Sequence, residues 1–114
     1  KSSRRQRQMC IRDSYRAPMI IILVSHIQDH PKVPEIEQVM STAAAAQNIL
    51  LALKAINFAG MWRTGAFSLN DDITNYLGLD EDHRVLGYLY VGTPDGPDKK
   101  IPELDLDDFI TKWD

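Results

Sequence analysis

Met40–Gly65, MSTAAAAQNILLALKAINFAGMWRTG, is the stretch on which the reading of the whole chain turns. It continues a helix that Pro34-Glu35 opens, with Glu35 and Glu37 in the first turn, where the helix dipole favours acids. Val39, Ala43, Ala46, Leu50 and Leu53 recur at helical spacing, and Met40, Ala44, Ile49 and Ile56 add apolar surface on other faces. A helix this apolar is expected to be buried on most sides. It is predicted to run from Glu35 to Phe58, ~36 Å at 1.5 Å per residue. Asn57-Phe58-Ala59-Gly60 reads as its stop, with Gly60 taking the left-handed conformation. The Met61-Trp62-Arg63-Thr64-Gly65 element that follows is too short for another helix. Arg63 is the only basic residue between Lys54 and Arg84. It is either a surface arginine beside a packed tryptophan, or a donor aimed at an anion or electron-rich ring with Trp62 as a wall.

Upstream of this helix, Met19-Ile20-Ile21-Ile22-Leu23-Val24 is an apolar, β-branched run without alternation, expected as a strand covered on both faces. Pro18 holds Ala17 extended before it. Ser25–Pro34 is a polar loop. His26 and His30 are four apart within it, but no third ligand has recognisable spacing, so they read as solvated histidines. Downstream, Ser68-Leu69-Asn70-Asp71-Asp72 caps a second, short helix that stops at Gly78. Asp80-Glu81-Asp82 reads as an acidic turn. Arg84–Gly92 is the second strand, and Gly87 within it signals a close backbone approach. Gly92–Pro97 is a turn cluster that lacks the Gly-Lys-Ser/Thr ending of a phosphate loop. In the acidic tail, Leu104, Leu106, Phe109, Ile110 and Trp113 read as anchors for docking on a surface. The order is strand, long helix, short helix, strand, tail. This is an α+β arrangement whose apolar faces demand more cover than the chain supplies.

Composition sets further limits. Of 114 residues, 44% are hydrophobic and 25% charged, which is one small globular domain. The net charge of −3 divides unevenly. Residues 1–14 hold five basic residues and one acid; the remaining hundred hold 8 basic and 15 acidic residues. That acidic body disfavours nucleic acid as a partner. No apolar run approaches the ~20 residues that span a bilayer, so no membrane partner is expected. The basic start runs into polar residues rather than an apolar core, which argues against a signal peptide. Cys10 is the sole cysteine, which excludes a disulfide framework and fits a reducing, cytoplasmic setting. Met9-Cys10-Ile11-Arg12-Asp13-Ser14 also reads as the translated end of a transposon used in sequencing libraries. Residues 1–14 are therefore expected to be non-native, with residues 15–114 the C-terminal portion of a larger domain.

Taken together, Arg16-Ala17-Pro18, Lys32-Val33-Pro34, Glu37-Gln38, Met40-Ser41, Gly60-Met61-Trp62-Arg63-Thr64-Gly65 and Gly87-Tyr88-Leu89-Tyr90-Val91-Gly92-Thr93-Pro94 resemble the nitroreductase family, and most of all its YdjA-like NAD(P)H nitroreductases. The resemblance covers nearly all of Tyr15–Trp113 and corresponds to the C-terminal half of a family subunit. It implies a three-layer α+β fold and a homodimer with FMN at the subunit interface. It further implies hydride transfer from NAD(P)H through FMN to a small-molecule nitroaromatic or quinone-like acceptor. By position, Trp62, Arg63 and Thr64 fall on the family's FMN-contacting segment, with Thr64 where relatives have serine. Ala52, Leu53, Lys54, Ala55, Ile56 and Asn57 fall on the segment associated with NAD(P), with Asn57 where a relative has glycine. The family's N-terminal Arg-x-Ser-x-Arg phosphate clamp has no counterpart here, so this chain alone is expected not to bind FMN tightly. The competing reading is a cofactor-free dimerisation module built on the apolar helix and the tail. A Rossmann-type domain is disfavoured, because no Gly-x-Gly-x-x-Gly follows a strand.

Overall fold

The computed structural model describes residues 17–65 and 71–114. The boundary expected before Tyr15, Cys10 and the cap at Ser68 all lie outside the described residues. Among the described residues the elements run β1 (Met19–His26), α1 (Glu35–Ala55), β2 (Ala59–Arg63), α2 (Asp71–Tyr76) and β3 (His83–Gly92). A 3₁₀ turn at Leu106–Asp108 is capped by the Asp105 carboxylate, which accepts from the Asp107 amide at 3.1 Å. Among the described residues no helix is long and apolar enough to cross a membrane.

The strands form one antiparallel sheet in the order β1-β3-β2. β3, the last strand in sequence, therefore lies at the centre, while β1 is a sheet edge among the described residues. This corrects the expectation of a β1 covered on both faces. Along its second half, burial alternates, with Leu23 and Ser25 buried and the residues between and after them not. Ile20 and Ile22 point to the opposite face and stay partly exposed. Unbroken β-branched sequence fixes the strand but not which of its faces is covered.

α1 lies across the other face. Its Ala46 is completely buried and packs with Leu23, Leu89 and Val91, while Ile49, Leu50 and Leu53 extend the contact. Small Ala46 lets the helix approach the sheet closely. Ala46 is also the one buried residue of α1, and Ile36, Met40, Leu51 and Ile56 are exposed. Among the described residues cover reaches a single stripe of the helix, and the further cover expected on its other sides would come from the remainder of the fold.

The helix also stops earlier than expected, at Ala55. Asn57 rather than Gly60 adopts the left-handed conformation, with φ 65°. The Phe58 amide donates to the Leu53 carbonyl at 2.9 Å and the Asn57 amide to the Lys54 carbonyl at 3.2 Å, which together make a Schellman cap. Asparagine tolerates this conformation nearly as well as glycine. Gly60 serves clearance instead. A Cβ there would meet Leu50 Cδ2 at 2.7 Å, so its lack of a side chain lets β2 pass beneath the helix. The segment after the helix is consequently a strand, which the sequence reading missed.

The β1–α1 loop is held by one side chain. Gln38 donates to the Gln28 and Val33 carbonyls, each at 3.0 Å, and accepts from the Gln28 amide at 2.8 Å. Buried Ser25 donates to the Gln38 carbonyl at 3.4 Å. His26 ends β1 instead of lying in the loop, and its ring stacks on His83 with centroids 4.3 Å apart. The tail anchors Leu104, Leu106, Phe109, Ile110 and Trp113 are all exposed.

Candidate functional site

Strand alternation decides what each residue of β2 can do. Gly60 and Trp62 face the helix, where Trp62 packs against the buried cluster. The indole Nε1 donates to the Leu86 carbonyl at 3.1 Å, which satisfies its polar atom. Met61 and Arg63 face the other way, and the Arg63 Nε donates to the Met61 sulfur at 3.1 Å. Trp62 and Arg63 are therefore neighbours in sequence on opposite sides of the sheet. Trp62 cannot wall a pocket that Arg63 lines.

On the helix-free face, Arg63 registers opposite Tyr88 and Met61 opposite Tyr90. Across β3, Ile22 and Ile20 register with the same two tyrosines. The result is an apolar and aromatic surface with one guanidinium at its edge. A shallow concavity of about 450 Å³ opens on it, lined by Met61, Arg63, Tyr90, Gly92, Pro18 and neighbours. This is within the volume range of small-molecule sites. A larger groove of about 750 Å³ lies at the opposite end of the sheet, between Glu35, Thr74, Glu81 and Arg84. Arg63 does not line it, and Arg84 is engaged there with Glu35 at 2.8 Å and with the Glu81 and His83 carbonyls. Among the described residues no group of three or more His, Cys, Asp or Glu could hold a metal ion.

Tyr88 carries the most informative polar atom of this face. Its hydroxyl is buried and has no hydrogen-bond partner. Burial, and secondarily the neighbouring Tyr90, push its phenol above the ordinary value of 10.0. The unfolded chain sheds this proton near pH 10, whereas the folded chain retains it to higher pH. Stability therefore falls as pH rises from about 10. Tyr88→Phe removes the orphan hydroxyl. It is expected to stabilise the chain by about 1 kcal/mol and to shrink the alkaline loss. Urea denaturation of both forms at neutral and alkaline pH measures this, and a destabilised phenylalanine variant would contradict it.

The second expected segment, Ala52–Asn57, lies at the C-terminal end of α1, on the helix side of the sheet. Within it, Leu53 packs into the core while Ala52, Lys54, Ala55, Ile56 and Asn57 are exposed. Lys54 pairs with Asp98 at 3.0 Å, both side chains largely in solvent. The sheet thus separates the Lys54 end of α1 from the face that presents Arg63. Thr64, exposed, follows β2 directly. Tyr88, Tyr90 and Met61 were not singled out from sequence. Pairing Gly60–Thr64 with Tyr88–Gly92 would have placed them beside Arg63, but that pairing requires recognising β2.

Residues 10–93 match the model of the Nitroreductase family. The chain belongs to the nitroreductase family. It is similar to the "Putative NAD(P)H nitroreductase YdjA" of Escherichia coli K12, at 38% identity over 80 residues, which are 70% of this chain and 44% of that protein. A protein of Haemophilus influenzae, "Putative NAD(P)H nitroreductase", is 30% identical over 100 residues, covering 86% of this chain and 54% of its own. The chain thus spans about half the length of these two nitroreductase relatives. In fold it is similar to the nitroreductase-like family protein from Bacillus cereus, with a TM-score of 0.77 at 19% identity over 96% of this chain and 59% of that one. The NADPH:FMN oxidoreductase from Vibrio harveyi, solved with NAD+, aligns at a TM-score of 0.51 and 18% identity over 94% and 73% of the two chains. These neighbours establish a nitroreductase-like α+β fold. The helix-on-sheet unit described above supplies two of the three expected layers.

Proposed function

We propose that this chain is the C-terminal portion of an FMN-dependent NAD(P)H oxidoreductase acting on nitroaromatic or quinone-like acceptors. The observation that carries the proposal is Arg63, held at the edge of an aromatic concavity in a chain of the nitroreductase family. The residues fit a flavin mononucleotide. A guanidinium suits its phosphate or the charge of its reduced ring, and the exposed Thr64 hydroxyl adds a further polar group. The buried, unpartnered Tyr88 hydroxyl has a donor to offer on the same face. The chemistry supplied by bound FMN is hydride transfer from NAD(P)H to the acceptor. Arg63 and Thr64 would hold that group, and Trp62 would contribute through its packing. The exposed end of α1, Ala52–Asn57 with Lys54, would meet the nicotinamide dinucleotide. The cytoplasm is the setting proposed for this reaction.

The exposed apolar residues of α1 and the tail, such as Met40, Leu51 and Trp113, support assembly as a homodimer with flavin at the interface. The same exposure favours the second reading, a cofactor-free dimerisation module. The two are separated by joining residues 15–114 to the N-terminal portion of the Escherichia coli relative. The oxidoreductase reading expects a yellow protein that oxidises NAD(P)H with a quinone or nitroaromatic present. A colourless dimer inert to NAD(P)H with FMN supplied would establish the module instead. In the same chimera, Arg63→Gln keeps the polarity but loses the charge. It is expected to weaken FMN binding about 30-fold, the value of one charge-assisted hydrogen bond of about 2 kcal/mol. Unchanged flavin affinity by fluorescence titration would remove Arg63 from the site.

A further inference from the structure

Arg63 reaches the helix-free face only because β2 holds one particular register. In a strand, a slip of one residue would exchange the faces of all its side chains, sending Arg63 under the helix and Trp62 into the concavity. β2 is only five residues long and lies at a sheet edge among the described residues, so its backbone ladder supplies weak resistance to slipping. The Trp62–Gly87 contact supplies more. At Gly87 the backbone has φ +132°, and a Cβ there would lie 2.6 Å from the indole Nε1 and 2.6 Å from the Arg63 carbonyl oxygen. The indole therefore occupies the space that a side chain at Gly87 would need. Beside it, the β1–β3 register shifts between Leu23 and Val24, where β3 carries Leu86 as an extra residue. The Leu86 carbonyl at this irregularity accepts from Nε1. Ring, notch and acceptor meet only in the observed register.

We infer that Trp62 is a positioning residue: its indole, seated over Gly87 and bonded to Leu86, fixes the face on which Arg63 is presented. The functional consequence rests on Arg63 belonging to the flavin site, but the register itself is measurable without flavin. In the isotopically labelled 114-residue chain, NMR should show indole Nε1–H contacts to Gly87 and Arg63 side-chain contacts to Tyr88. Exchange of the Nε1–H should be slowed about 100-fold against free indole. Nε1–H exchange at the free rate overturns the inference without any variant. Trp62→Phe keeps an aromatic ring but loses the donor. The Arg63–Tyr88 contacts should weaken and Arg63 amide exchange should rise about tenfold, while contacts between Leu89 and Ala46 persist. A merely structural role would loosen both sets together. Trp62→His keeps a ring N–H at the equivalent atom and should restore the Arg63–Tyr88 contacts in part. It also serves as the test if the phenylalanine variant does not fold. Variants that retain the full Arg63–Tyr88 contacts and exchange rate overturn the inference. FMN titration of the same variants in the chimera with the N-terminal portion of the Escherichia coli relative completes the test. If register loss weakens FMN binding about tenfold, Trp62 acts on the flavin site. If the register is lost and FMN affinity is unchanged, the positioning role is overturned and Arg63 lies outside the flavin site. Failure of the unmutated chimera and its variants alike to bind FMN counts against the flavin reading and leaves the register result standing.

Discussion

Gly87→Ala is expected to destabilise the chain by about 3 kcal/mol or more, a large part of the total stability of a domain this small. Two costs add. An L-residue at φ +132° is strained by roughly 1–3 kcal/mol. The new methyl would also lie 2.6 Å from the Arg63 carbonyl, a backbone atom that cannot rotate away. Relief requires β2 to separate from β3 or the indole to leave its seat, and overpacking of this kind costs about 1–3 kcal/mol. Gly96 supplies the control. It too has positive φ, +86°, but a methyl group added there would have nothing within 4 Å. Gly96→Ala should therefore show the backbone cost alone, about 1 kcal/mol. Equal urea midpoints for the two variants would show that the space over Gly87 is unimportant.

Leu89→Ala should cost about 3 kcal/mol, within the range for truncating a buried leucine. Leu89 is completely buried at the middle of the central strand, among Leu23, Ala46 and Val91, with Ile49, Leu50 and Trp62 around them. The cavity would lie between α1 and β3, where Ala46 is too short to fill it. Leu51→Ala, on the exposed side of the same helix, should stay within about 0.5 kcal/mol. Denaturant titration of both distinguishes the one covered stripe of α1 from its apolar remainder. A comparable loss at Leu51 would mean that the helix is covered on further sides in solution.

The start of α1 at Glu35 and the close approach at Gly87 were legible because both rest on local rules, helix-start signals and the missing Cβ. The family was legible from short motifs distributed along the chain. What escaped the sequence was long-range. β2 is five residues with Gly60 near its start, too short for alternation to stand out against a helix end. It becomes a strand because β3 pairs with it and Gly60 lets it pass under Leu50 and Leu53. Missing β2 concealed the opposed faces of Trp62 and Arg63, and with them Tyr88 and Tyr90. The helix stop was misplaced for a simpler reason. Asn57 and Gly60 could each end it, and local sequence does not rank them once Gly60 is needed for clearance.

The strand order also sets a timetable for synthesis. β1 and β2 are both made before β3, yet among the described residues neither pairs with anything except β3. The apolar Met19–Val24 segment and the apolar flank of α1 must therefore wait until translation has passed Gly92. At about 5–20 residues per second, that interval is on the order of several seconds. During it, an isoleucine-rich edge and an alanine-leucine helix are both without their partner. Nascent-chain truncations ending before His83 should accordingly recruit chaperones and aggregate, and those extending past Gly92 should not.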